Sequence, residues 1–246
     1  MTLIKKLFKE NKIFFFNYNH NSFFEGLYRF FGILISPLFI KLSPNLISFL
    51  SLFCGFIGLI FSVSSSIKIN FIIFFFLLSF VLDFTDGMIA RFTNKTSFYG
   101  RFIDGLFDII VIGFLHIVFF IHLINIEVVE IKNIYFTCFL VSLTLLPIQH
   151  LILDRFSSIA RWCNDINNNK DIKPYHRNTF FGKITKLLFD LQHLCIWISI
   201  FINNGNYIVV IIFFILSIFS SILNLIIYIY LSKKNFSKVK NTLDND

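Results

Sequence analysis

The sequence predicts an all-α integral membrane protein: six transmembrane helices plus an N-terminal interfacial amphipathic helix. Three observations predict it. Of 246 residues, 56 % are hydrophobic and only 15 % are charged, whereas a soluble domain carries about 25 % charged residues. Mean hydropathy is +0.76, and apolar runs recur along the whole chain, each near the roughly 20 residues a helix needs to cross a bilayer. The 22 Lys and Arg are distributed unevenly between the segments that separate those runs. A soluble globular domain is excluded.

Taken in order, residues 1–20 carry Lys5, Lys6, Lys9 and Lys12 and then Phe14 to Phe16. The apolar part is too short for a secretory signal, so this reads as a basic segment on an anionic membrane surface. Residues 23–41 are apolar but interrupted by Glu25, Arg29, Pro37 and Lys41, which favours a tilted interfacial helix over a span. Ser43-Pro44 starts the first span, with serine as cap and proline in the first turn. The spans are expected at 44–65, 69–92, 97–123, 133–154 (with Pro147 as a kink), 184–203 and 206–231. Residues 155–182 read as the one sizeable polar loop, and the tail from Lys233 as mobile. No domain boundary is visible. The chain reads as one membrane domain over 1–246: basic segment and interfacial helix at 1–42, six-helix core at 43–231, cytoplasmic tail at 232–246.

Six spans put the N-terminus, the 92–96 turn, the 155–182 loop and the C-terminus on one face. That face receives all the Lys and Arg except Lys68 and Lys132. By the positive-inside rule it is cytoplasmic, in a bacterial inner (plasma) membrane. The net charge of +8 therefore reports orientation and not nucleic-acid binding. Cys54, Cys138, Cys163 and Cys195 have neither metal-knuckle nor redox spacing, and no disulfide is expected.

The chemistry concentrates between Val81 and Ile110, where four carboxylates interrupt apolar sequence. Asp83 and Asp86 are three apart, Asp104 and Asp108 four apart, so each pair shares a helical face. A turn near Lys95 lies nine residues from both Asp86 and Asp104. Two antiparallel helices flanking it would bring all four acids together. A charge at mid-bilayer costs roughly 2.5–3.5 kcal/mol, and four cost on the order of 10 kcal/mol before their mutual repulsion. Divalent cations offset both terms, and an all-oxygen site suits Mg²⁺ or Mn²⁺. Two ions about 3.5–4 Å apart would suit phosphoryl chemistry. Gly87 and Ala90 leave room on the first acidic face. Arg91 can fork onto a phosphate. Gly100, Asp104 and Asp108 form a stripe on the second helix.

The full pattern, D-x2-D-G-x2-A-R-x8-G-x3-D-x3-D, resembles the signature of the CDP-alcohol phosphotransferases at all eight positions: Asp83, Asp86, Gly87, Ala90, Arg91, Gly100, Asp104 and Asp108. The match covers 26 residues. The resemblance implies a divalent-metal set of Asp83, Asp86, Asp104 and Asp108, with two ions per site. It implies that Asp108 is the base that activates the acceptor hydroxyl, and that Gly87, Ala90, Arg91 and Gly100 bind CDP. It also implies a homodimer. Asn45 and Ser48 resemble the P-N-x-x-T that often opens the first span in this family.

Outside the motif, Arg155 and Arg161 are candidates for binding a phosphate on the acceptor, with ordinary positive-inside charge the favoured account of them. Gln149, His150, Gln192 and His193 suit hydrogen bonds between helices or a substrate pocket. Asp190 could face the pocket or pair with a lysine. The expected activity is transfer of a substituted phosphate from a CDP-linked alcohol, preferentially CDP-diacylglycerol, to an acceptor alcohol with release of CMP, in phospholipid or related biosynthesis. The alternative is a choline- or ethanolamine-type enzyme with a small CDP-alcohol donor and a lipid or glycan acceptor. A cation-coupled transporter is more remote, because no inverted repeat is evident.

Overall fold

The computed structural model of the chain describes residues 22–64, 67–125, 132–166, 180–201 and 207–243. Among these are seven α-helices and no strand: α1 (Phe23–Phe39), α2 (Pro44–Ser62), α3 (Ile69–Phe92), α4 (Phe98–Asn125), α5 (Lys132–Ile166), α6 (Phe180–Phe201) and α7 (Tyr207–Leu243). The six from α2 to α7 are long and apolar enough to cross a membrane, which makes this a multi-pass membrane protein. The basic segment at 1–20 lies outside the described residues.

The expected spans reappear as α2 to α7, with two corrections. The loop expected at 155–182 is instead helical up to Ile166, and α6 already begins at Phe180. Phe156, Ala160 and Cys163 recur at helical spacing, and all are buried. Phe156 packs with Ile227 and Leu231 of α7. The polar residues between them had masked an amphipathic helix. The tail expected to be mobile from Lys233 continues as α7 to Leu243. No glycine or proline interrupts that stretch, so nothing in it terminates the helix.

α3 is the hub, packed against α1, α2, α4 and α6, while α7 packs on α5 and α6. Small polar residues close the α2–α3 seam. Ser51 Oγ lies 2.9 Å from the Ser79 carbonyl, Ser79 Oγ donates to the Ser51 carbonyl at 2.8 Å, and the two hydroxyls are 3.0 Å apart. Hydrogen bonds of this kind are available to helices that can approach closely in lipid.

α1 docks across α3. Gly32 makes the contact possible: a Cβ there would lie 2.5 Å from Met88 Cε and 2.8 Å from Thr85 Oγ1. The start of α1 is held twice. Ser22 Oγ accepts from the Glu25 N–H at 3.1 Å. The Asp190 carboxylate of α6 accepts from the N–H groups of Phe23 and Phe24, both at 2.9 Å. An anion at a helix N-terminus satisfies orphan donors and complements the dipole. This settles the role left open for Asp190. One turn on, the fully buried Tyr28 stacks on Phe84 and reaches α6, where its hydroxyl lies 2.7 Å from His193 Nδ1 and accepts from Trp197 Nε1 at 3.3 Å.

Candidate active site

Three helix ends meet at the site, and each is formed by local chemistry. α3 ends in a Schellman motif: Asn94 adopts φ 54°, its N–H donates to the Arg91 carbonyl, and the Lys95 N–H donates to the Ala90 carbonyl. Asparagine is among the few residues besides glycine that take this backbone readily. Ser97 then caps α4, accepting from the Gly100 N–H at 2.9 Å. Ser43 caps α2 with Pro44 behind it. Two short-range caps and a tight turn thus set the α3–α4 hairpin.

The hairpin brings the carboxylates together. Asp83, Asp86 and Asp104 each present an oxygen, and these oxygens lie within 4.8 Å of one another. Asp86 is buried and accepts a hydrogen bond from Ser48 Oγ of α2. Asp83 abuts Asp104 on one side and Asp108 on the other. Asp108 is therefore next to the three-carboxylate group and outside it. The sequence-based set of four divides into three convergent oxygens and one neighbour.

The cluster stands between cavities. One of about 160 Å³ is lined by Asn45, Ser48, Asp86, Gly87, Ala90, Arg91, Gly100 and Asp104, among others. Every small or basic residue of the motif faces it. A Cβ on Gly87 would lie 3.3 Å from Arg91 Nη1, so the missing side chain lets the guanidinium fold down over the helix. A Cβ on Gly100 would lie 3.1 Å from Ser97 Oγ and 3.2 Å from Asn45 Oδ1. Arg91 is close enough to Asp104 for their charges to interact.

On the other side of the acids a second cavity, of about 280 Å³, is lined by Asp83 and Asp108 and by Tyr28, His150, His193 and Asn224, with other residues of α3 to α7. It adjoins a third, of about 450 Å³, that reaches Ser22, Glu25, Gly182 and Lys186 at the basic end of the bundle. Phe84, Asp108, Thr185, Phe189 and Asn224 line both, so the two are continuous. Asp108 faces these cavities, and Asp86 and Asp104 face the first.

A model for the family described as CDP-alcohol phosphatidyltransferase matches residues 41–163. The chain belongs to this family. Neither curated proteins nor solved structures give a match. The matched segment runs from the start of α2 through α5 and contains all four acids. Family membership supplies a CDP-alcohol donor, an alcohol acceptor and transfer of a phosphate group. The family generally uses divalent metals. The donor set here fits one: three carboxylates converge within 4.8 Å in a largely apolar bundle, an all-oxygen arrangement suited to a hard cation.

Arg155 and Arg161 line none of these cavities. Both are exposed on α5, and Arg161 donates to Ser157 Oγ one turn back. Gln149 accepts from Ser221 of α7 at 2.7 Å, and His116 bonds Ser217 of α7 at 3.1 Å. The sequence reading passed over Tyr28, Trp197 and Asn224. The signal for the first two was a polar stripe: Asp190, His193 and Trp197 stand at i, i+3 and i+7 on α6, and all three bond to α1. For Asn224, an amide in the apolar part of α7, the signal was the cost of burying it.

Proposed function

We propose that the protein transfers a substituted phosphate from a CDP-linked alcohol, CDP-diacylglycerol by preference, to the hydroxyl of a second alcohol. The observation that supports this most directly is the division of space by the acid cluster. The glycines and arginine of the motif face one cavity, and Asp108 faces the other.

In this reading Arg91 binds the donor's diphosphate, and Gly87, Ala90 and Gly100 leave room for the nucleotide. Asp83, Asp86 and Asp104 hold divalent cations, with Asp108 beside them. Bound metal would neutralise the diphosphate and the developing charge on CMP. The acceptor alcohol lies in the second cavity. Asp108 takes its proton, the acceptor oxygen bonds to the phosphorus that carries the donor's alcohol, and the anhydride bond to CMP breaks. The bonding pair leaves on the CMP phosphate. Ser48 fixes Asp86 by hydrogen bond, which keeps one carboxylate oriented.

The basic face, with Lys68 and Lys132 as its exceptions, is cytoplasmic by the positive-inside rule. α1 lies at that surface, and the protein works as a homodimer in membrane lipid synthesis. The test is CMP release by purified protein in lipid with Mg²⁺ or Mn²⁺, offering CDP-diacylglycerol in one arm and CDP-choline or CDP-ethanolamine in another. Metal-dependent CMP from the first donor supports the reading. CMP from the second alone moves the protein to the choline- or ethanolamine-type branch.

A further inference from the structure

The second cavity has a wall that the transfer chemistry does not use. His193 is 8 % exposed. Its Nδ1 is engaged by Tyr28, and its Nε2 has no hydrogen-bond partner among the described residues. Trp197 Nε1 can only donate, and it donates to the Tyr28 oxygen. The same hydroxyl lies 2.7 Å from His193 Nδ1, so Nε2 is the ring nitrogen left for a ligand. Asn224 is likewise 8 % exposed. It lines both this cavity and the adjoining one, beside Asp108, and no hydrogen bond satisfies its amide among the described residues. His150 completes the group from α5. These uncharged polar groups line one cavity of about 280 Å³, at the small end of ligand-binding cavities.

Resting on the transferase reading above, we propose that this cavity selects the acceptor as a small uncharged polyol. His193 Nε2, Asn224 and His150 hold its spare hydroxyls while one hydroxyl meets Asp108. Amide and imidazole groups hydrogen-bond hydroxyls without needing an opposite charge. The Asp108 carboxylate, outside the three that would hold metal, opposes a phosphorylated acceptor, and among the described residues no Lys or Arg lines this cavity. A lipid hydroxyl would leave the wall groups unpaired, which is how hydrogen-bonding sites reject apolar analogues. The adjoining cavity at the basic end gives a water-soluble polyol its way in.

The experiment is CMP release by the full-length protein in lipid vesicles with Mg²⁺. The donor is CDP-diacylglycerol. The acceptors are glycerol and inositol, their phosphate esters, ethanolamine and serine. A separate arm pairs CDP-ethanolamine with diacylglycerol. Equilibrium binding of CDP is measured alongside. At least tenfold faster release with a free polyol than with any other acceptor is expected. Tyr28→Phe, which removes the hydroxyl that holds His193 Nδ1, and Asn224→Ala are each expected to raise the polyol KM about tenfold and leave the donor KM and CDP binding unchanged. Preference for a phosphate ester, an amino alcohol or diacylglycerol overturns the inference and leaves the transferase reading standing. So does a polyol KM that neither substitution moves. Absence of both CMP release and metal-dependent CDP binding overturns the transferase reading itself. CDP binding without release from any pairing counts against the polyol assignment.

Discussion

Replacing Asp190 with alanine should release the start of α1 without unfolding the bundle. The wild-type carboxylate accepts two backbone N–H groups at 2.9 Å and is itself buried. Hydrogen bonds to a charged group contribute about 1.5–3 kcal/mol each, which sets an upper bound near 3–6 kcal/mol for the pair. The first turn of α1 can be rehydrated when it lifts, and loss of an N-cap side chain typically costs about 0.5–2 kcal/mol. The lower figure governs, because only the opening of this turn is involved and not the burial of orphaned donors. About 2 kcal/mol corresponds to roughly 30-fold more frequent opening. Hydrogen–deuterium exchange of the protein in lipid nanodiscs measures it directly. Amides of residues 23–28 should exchange about 30-fold faster in Asp190→Ala and about fivefold faster in Asp190→Asn, which keeps one carbonyl acceptor. α3 and α4 should be unaffected, since Tyr28, Ile33 and Gly32 still pack. The reasoning fails if the α1 amides keep wild-type protection, or if protection drops uniformly through all helices.

Other perturbations separate the parts of the site. Asp108→Asn should lower CMP release by about 10²–10⁴-fold with CDP affinity unchanged, whereas Asp86→Asn should lose both turnover and metal-dependent CDP binding. Near-normal rates in Asp108→Asn would reassign the base. Gly100→Ala puts a methyl 3.1–3.2 Å from Ser97 Oγ and Asn45 Oδ1. Overpacking of this kind costs about 1–3 kcal/mol, so CDP should bind at least fivefold more weakly by calorimetry, and unchanged affinity would place the nucleotide elsewhere. Phe156→Ala removes a buried ring from the α5–α7 contact at about 3–5 kcal/mol. A clearly lower thermal midpoint in detergent is expected, and an unchanged one would mean that the C-terminal extension of α5 contributes no packing.

Legibility followed sequence separation. The acids, glycines and arginine lie within 26 consecutive residues on two helices joined by one short turn. Spacing and helical geometry were therefore enough to predict that Asp83, Asp86 and Asp104 converge. Even so, counting could not tell Asp108 from the rest. Its separation from the metal-competent oxygens depends on side-chain direction at the α3–α4 crossing. The membrane spans were legible because hydropathy is an additive property of a local window. The extension of α5 was not, because its apolar spacing of Phe156, Ala160 and Cys163 is diluted by Arg155, Ser157, Ser158 and Arg161, and the partners of Phe156 lie far along the chain in α7.

The wall of the second cavity shows where local reading stops. Tyr28, His150, His193 and Asn224 come from four helices, and the pair Tyr28–His193 is 165 residues apart in sequence. Each residue alone has an ordinary explanation: an aromatic in an interfacial helix, histidines in spans, one amide among isoleucines. Only their convergence beside Asp108 makes them informative. Asp190 links the two levels. By capping α1 it holds Tyr28 against α6, and the Tyr28 hydroxyl in turn holds the His193 ring at Nδ1. The N-terminal helix, which carries no motif, thus helps determine the hydrogen-bonding character of the cavity next to the acids.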